Sequence, residues 1–250
     1  MCFSLSAQKI IDLSGKWSFS IDRQDNGEKE KWFSHTLNDC INLPGSMPEK
    51  LKGDEVTAKT QWTGSLYDSS YYYNPYMEKY RKEGNIKFPF FLTPDKHYVG
   101  AAWYQKEVNI PADWKGERIL LFLERPHIET TVWVNGQKTG MQNSLCVPHQ
   151  YDITRYVRPG KCTITIRVDN RIKEINVGPD SHSITDQTQG NWNGIVGRIC
   201  LQTTPKTYFD DIQIYPEPEQ KLARVKVVIK GAGITKIKLS AESSIRIKSI

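Results

Sequence analysis

Apolar and polar positions alternate along most of the chain with a period of two, which places successive side chains on opposite faces of a strand. Asp12–Ile21 alternates around Leu13, Trp17 and Phe19. Ala102–Ile110 sets Trp103, Gln105, Glu107 and Asn109 against Tyr104, Val108 and Ile110. Ile119–Leu123, Thr130–Val134, Cys162–Val168 and Arg198–Gln202 are short runs of β-branched and aromatic residues, which suit a pleated, half-buried surface. Turn residues separate the runs at Asp113–Gly116, Asn135-Gly136 and Arg158-Pro159-Gly160. Val132-Trp133-Val134-Asn135-Gly136-Gln137 predicts a hairpin, because a two-residue turn needs positive φ and Asn and Gly tolerate it best. Helical periodicity is absent from long stretches; Asp152–Val157 predicts a single helical or 3₁₀ turn. Many short strands with few helices predict an all-β sandwich or jelly roll.

Two places break the rhythm. Residues 45–100 are aromatic and polar without clean alternation, and hold Trp62, Tyr67, Tyr71, Tyr72, Tyr73, Tyr76 and Tyr80. A loop of that length is usually functional or disordered, and its aromatic density argues against disorder. Those rings either wall a pocket or pack the insertion onto the sandwich. Near Thr203–Thr207 a strand pattern stops and a new one starts at Tyr208, continuing through Leu222–Ile229 and Ile234–Leu239. Residues 205–250 are read as the start of an immunoglobulin-like sandwich. They are few against the roughly 100 residues and seven strands of that fold, so the second domain is expected to be truncated.

Composition narrows the function classes. With 38% hydrophobic and 25% charged residues the chain has enough apolar material for a core. The formal charge of +6 raises the question of nucleic acid, but the lysines and arginines are interleaved with acids and never run longer than a pair, so no nucleic-acid partner is expected. The five cysteines contain no CxxC pair, and His35, His97, His127, His149 and His182 are dispersed without ligand spacing. No metal and no cofactor are therefore expected. No stretch of about 18 apolar residues is present to predict a membrane span. Residues 1–8 end in small residues before the first strand and are read as the remnant of a secretory signal peptide, which predicts a secreted or periplasmic protein.

An ordered set of motifs then resembles the N-terminal domain of glycoside hydrolase family 2, the β-galactosidase, β-glucuronidase and β-mannosidase group. Leu13-Ser14-Gly15-Lys16-Trp17 is similar to its first strand, and Ile41-Asn42-Leu43-Pro44-Gly45 to its early turn. Trp103-Tyr104, Val108-Asn109-Ile110-Pro111, Val132–Gly136, Tyr151–Thr154 and Ile166–Asn170 follow in the family's order. Gly190-Asn191-Trp192-Asn193-Gly194-Ile195 resembles the loop before the domain's last strand. The resemblance covers roughly residues 11–204. It implies a galactose-binding-like jelly roll over 9–204, with the insertion at 45–100, followed by the immunoglobulin-like start.

The resemblance also implies that the chemistry lies elsewhere. In that family two glutamates on a later (β/α)₈ barrel protonate the leaving oxygen and attack the anomeric carbon. A barrel needs at least about 200 residues, so no catalytic residue is assigned within this chain. The expected role is a non-catalytic sugar-binding domain of an exo-acting retaining β-glycosidase, its partners being a carbohydrate and the barrel in cis. A free-standing carbohydrate-binding module and a β domain of another carbohydrate-active enzyme, such as an esterase, stay open. Glu124, Glu129 and Asp169 are expected to be exposed or turn-capping acids.

Candidate sugar contacts lie in His182–Gly194, where acid, amides and one indole match the hydroxyls and the C–H face of a pyranose. By resemblance, this loop reaches toward the barrel, and Asp186, Gln189, Asn191, Trp192 and Asn193 are the expected substrate-binding residues. The alternative is that Trp192 packs on the sandwich while Asn191 and Asn193 satisfy turn backbone. Trp17, Trp103 and Trp133 fall inside strand patterns and are expected to be structural.

Overall fold

The computed structural model describes residues 9–64, 69–88, 92–173, 181, 182, 185, 186, 188, 190–231 and 238. The chain forms two compact units, one ending at Thr203 and the other beginning at Thr204. The first unit opens with β1 (Ile10–Asp12), β2 (Gly15–Asp22), β3 (Asp39–Leu43) and β4 (Gly45–Ser46). The insertion contributes β5 (Asp54–Glu55) and β6 (Lys96–His97). Then come β7 (Ala101–Ile110), β8 (Arg118–Pro126), β9 (Glu129–Val134), β10 (Gln137–Asn143), β11 (His149–Asp152), β12 (Gly160–Asp169) and β13 (Gly194–Thr204).

These strands make two antiparallel sheets. One has the order β1-β13-β8-β11, with β4 also paired to β13; the other runs β10-β9-β12-β7-β2-β3. Inward residues of both sheets form one core that includes Trp17, Phe19, Tyr104, Leu121, Leu123, Val132, Ile164, Ile166, Ile199 and Leu201. This is the all-β sandwich that the patterning predicts. The Asn135-Gly136 hairpin is present, with φ of +50° and +76°, and it pairs Val134 with Gln137. Thr154–Tyr156 forms the expected 3₁₀ turn.

Three details differ from the simple strand reading. Asp12–Ile21 is not one strand: β1 joins one sheet and β2 the other, and Gly15 at φ +96° makes the crossing. Second, β7 does not alternate over its first half, because Ala101–Gln105 is buried on both faces. Its outer face is covered by a second apolar cluster of Trp103, Trp133 and Leu37, against which Trp32 and Phe33 pack. Trp103 and Trp133 lie 4.9 Å apart by ring centroid, and Phe33 stacks on Trp133 at 5.2 Å. The Trp103 indole N–H donates to Asp22 Oδ2 at 2.9 Å, so the buried ring keeps its one polar atom satisfied. Third, the insertion is folded. β5 and β6 pair, Ser70–Tyr73 forms a short helix, α1, and Tyr71 is buried on Phe88 at 4.6 Å while Tyr73 and Tyr76 stay exposed. Tyr67 lies outside the described residues.

The second unit contributes a hairpin of β14 (Tyr208–Glu217) and β15 (Leu222–Lys230), turning at Lys221 with φ +53°. Of the strand expected at Ile234–Leu239 all but Lys238 lies outside the described residues, as does the segment read as a leader remnant, 1–8.

One glycine fixes how the last strand enters the sandwich. Gly194 has φ +143°, and a Cβ there would sit 2.5 Å from the carbonyl oxygen of Gly45 on the paired strand β4. Replacing Gly194 with Ala adds both a backbone and a steric penalty, expected to total roughly 2–4 kcal/mol. Urea denaturation of Gly194→Ala beside the parent chain checks this, and equal midpoints would refute it.

Candidate functional site

The β7–β12 ladder ends at the pair Ala101–Asp169. Beyond it the backbone still carries buried donors and acceptors, which need partners. Three asparagines supply them. Asn170 Oδ1 accepts from Gly100 N at 2.8 Å, and its Nδ2 donates to Tyr98 O at 2.9 Å and to Asn191 Oδ1 at 3.0 Å. Asn191 Nδ2 donates to Asn170 O and to Thr63 Oγ1, both at 3.0 Å. Asn193 Nδ2 donates to Gly100 O at 2.9 Å and Val168 O at 3.0 Å, while its Oδ1 accepts from the Tyr104 hydroxyl at 2.7 Å. Burial raises the Tyr104 pKa well above its ordinary value, so that hydroxyl remains a neutral donor.

The same network holds the acid of the loop. Asp186 is buried, and its Oδ2 accepts from Thr63 N at 2.7 Å while its Oδ1 accepts from Asn191 N. Asp186 N in turn donates to Thr63 O at 3.2 Å. The carboxylate thus ties the loop to the insertion from both sides. His97 of β6 approaches it, Nε2 to Oδ2, at 3.5 Å, and the His97 ring rests 4.8 Å from the Trp62 ring.

Trp192 is half-buried and stacks on the His127 imidazole, with centroids 4.5 Å apart and planes 24° apart. His127 follows β8 and begins the cis peptide His127–Ile128. Burial pushes its pKa down to about 4, against smaller opposing contributions from the Asn191 amide and the Asp186 charge. The ring is therefore neutral at pH 7, and neither sequence spacing nor periodicity marked it or His97 as belonging to this loop. Their only signal is tertiary.

The structure thus brings together Asp186, Asn191, Trp192 and Asn193. Gln189 lies outside the described residues. The side chains of Asn191 and Asn193 are committed to the fold's own hydrogen bonds. Trp192 remains partly open to solvent, one face against His127.

A second polar cluster corrects an expectation. Asp169 is fully buried, not exposed, although its Oδ1 accepts from Arg171 N at 3.0 Å as a turn-capping acid does. Its Oδ2 meets Arg167 Nη2 at 3.0 Å, Arg171 Nη2 at 2.6 Å and Lys173 Nζ at 2.8 Å, and Glu129 joins through Arg167 and Lys173. Burial opposes ionisation of Asp169, but hydrogen bonds from Arg171 and Lys173 and the Arg167 charge hold its pKa well below the ordinary carboxylate range. Glu124 is exposed and accepts from Arg198 N at 2.8 Å, as a capping acid does.

The sandwich, its final loop and the ordered motifs can be set beside known proteins. The sequence pattern of the family described as glycosyl hydrolases family 2, sugar binding domain, matches residues 10–205. The chain belongs to this family. Human β-glucuronidase is 25% identical over 96% of this chain and 36% of its own length. The β-glucuronidase of Paenibacillus borealis is 27% identical over 83% of this chain and 31% of its own. Among solved structures, an uncultured Clostridium sp. β-glucuronidase superposes with a TM-score of 0.59 at 21% identity, covering 92% of this chain and 35% of that one. A Ruminococcus gnavus β-glucuronidase gives 0.58 at 17% identity. At such identities the superpositions speak for the fold. The chain spans about a third of the length of these relatives.

Two expectations follow for this family 2 domain. Asp186→Ala strands two backbone N–H donors, Thr63 and Asn191, and is expected to cost roughly 2–4 kcal/mol, with amide exchange accelerated at both positions. Unchanged exchange there would show that the carboxylate does not hold the loop. For His127, the folded pKa lies below the unfolded one near 6.5. The unfolded chain therefore binds the proton first, and stability present above pH 6.5 is lost as pH falls toward about 4. Between pH 7 and 5 this term removes roughly 2 kcal/mol. Denaturation of His127→Phe at both pH values is expected to show a correspondingly smaller loss than the parent; an equal loss would sink the assignment.

Proposed function

We propose that this chain is the sugar-binding β domain of a secreted, exo-acting retaining β-glycosidase whose substrates are β-glucuronides. It contributes the rim of the substrate site and leaves bond cleavage to two carboxylic acids of a barrel in cis. The observation that carries this reading is the family match across the whole sandwich, joined to relatives named β-glucuronidases that are about three times longer. The geometry of the final loop supports it. A rim residue must be held in place before a ligand arrives, and here the loop is fixed through Asp186, Asn191 and Asn193 while the Trp192 indole is left partly open.

In this reading the residues divide their work. Trp192, backed by the neutral His127 ring, offers an apolar face to the C–H side of a pyranose. Asp186 positions the loop and presents a negative field at its base. Gln189, whose amide suits a sugar hydroxyl, is assigned to the substrate from the sequence of the loop. Among Glu124, Glu129 and Asp169 none is offered as a nucleophile: Glu129 and Asp169 are held in ion pairs and Glu124 accepts from Arg198 N within β13.

The test is hydrolysis of a panel of aryl β-glycosides by the 250-residue chain and by the full product of the gene that encodes it. Turnover of the aryl β-glucuronide by the longer protein alone is expected. Normal turnover by the 250-residue chain would overturn the accessory role, and preference of the longer protein for a galactoside or mannoside would overturn the substrate class.

A further inference from the structure

The first unit carries a polar cleft of about 500 Å³ between the end of β2 and the insertion. One wall is Asp22, Arg23 and the turn Tyr98–Ala101; the other is the segment from Asp54 to Gln61. The walls are fixed. β5 and β6 pair Asp54 with His97, and Arg23 bridges to Asp54 at 2.7 Å. The Thr57–Gln61 segment closes on itself, Thr60 N donating to Thr57 O at 3.0 Å and Thr57 N to Thr60 Oγ1 at 2.9 Å. A cleft of this volume takes a mono- or disaccharide without remodelling.

The chemistry of the lining selects among ligands. Its charges are in part paired, Arg23 with Asp54, Arg171 with Asp25 and Asp169, and Glu55 with Lys96, and Lys59 also stands on the wall. Asp22 already accepts from Asn26 N, Gly27 N and the Trp103 indole. With Asp22, Asp25, Asp54 and Glu55 against Arg23, Lys59 and Arg171, the lining offers no net positive charge to an anion. What remains for a ligand are the hydroxyl protons of Thr57 and Thr60, the Gln61 carboxamide oxygen and the spare lone pairs of paired carboxylates, beside the exposed apolar side chain of Val99. Dense neutral donors and acceptors next to a small apolar surface match the alternating hydroxyl and C–H edges of a pyranose.

We infer that this cleft is a subsite for a neutral pyranose residue of a glycan. The inference rests on the reading that the chain serves a carbohydrate-active protein, and it deepens that reading by assigning sugar contacts to Thr57, Thr60 and Gln61, outside the final loop. It needs no residue of a further domain, so the 250-residue chain itself binds the sugar.

The experiment is a titration of that chain with cellobiose, methyl β-D-glucopyranoside and sodium glucuronate, followed by amide chemical shifts. Saturable shifts at Thr57–Gln61 with cellobiose, and glucuronate weaker by about fivefold or more, are expected. The double variant Thr57→Val/Gln61→Ala, both exposed positions, is expected to weaken cellobiose by about tenfold with an unchanged melting temperature. Absence of saturable shifts, shifts confined to other segments, or binding indifferent to the double variant would overturn the subsite. Equal or tighter binding of glucuronate would overturn its neutral character. None of these outcomes bears on aryl glucuronide hydrolysis by the longer protein, so the cleft and the glycosidase reading fail separately.

Discussion

The loop that ends in β13 depends on one constraint: the backbone at the open end of the β7–β12 ladder is buried and must find partners. Gly100, Val168 and Asn170 each present a carbonyl there, and the last backbone bond between the two strands, Asn170 N to Gly100 O, is long at 3.4 Å. Side-chain amides reinforce it. Each such hydrogen bond contributes on the order of 1 kcal/mol net, so the amide bonds to these carbonyls help offset the entropy of ordering a few loop residues. The asparagines from 170, 191 and 193 therefore do what a further pair of strand residues would have done, and they hold the final loop to the sandwich.

Everything nearby inherits that geometry. Once Asn191 and Asn193 are fixed, the residue between them has little freedom, and Trp192 settles onto His127. Once Asp186 is drawn in by Asn191 N, its second oxygen captures Thr63 N and the insertion is bound to the loop. The folded insertion then carries β5 against β6 and forms the outer wall of the polar cleft. A family 2 sandwich thus gains a preset loop and a walled cleft from hydrogen bonds made at one sheet end.

The charges at that end follow the same logic. Asp169 closes β12 and is buried, a position that is costly for a lone carboxylate. Arg167, Arg171 and Lys173 surround it and Asp25 and Glu129 complete the set, so the cluster is close to neutral as a whole. Removing one partner leaves charge buried without compensation, which is why such clusters behave as units.

Much of the sandwich was legible in the chain itself. Period-two alternation, the Asn135-Gly136 turn and the tryptophans inside strand patterns are local signals, because pleat, turn dihedrals and burial each constrain the residue at its own position. The order of short motifs carried the family in the same way. Alternation failed at β7, where Trp32 and Phe33 cover the outer face from a distant segment. It failed again at Asp12–Ile21, where one apolar run serves two sheets. The loop's composition pointed to Asp186, Asn191, Trp192 and Asn193 as a group. Which of their atoms are already engaged was decided by Gly100, Val168, Tyr104 and Thr63, and the parts of His97 and His127 by the approach of β6 and β8 to that loop. Hydrogen bonds and desolvation act through space between residues far apart in sequence, so only the tertiary structure sets them.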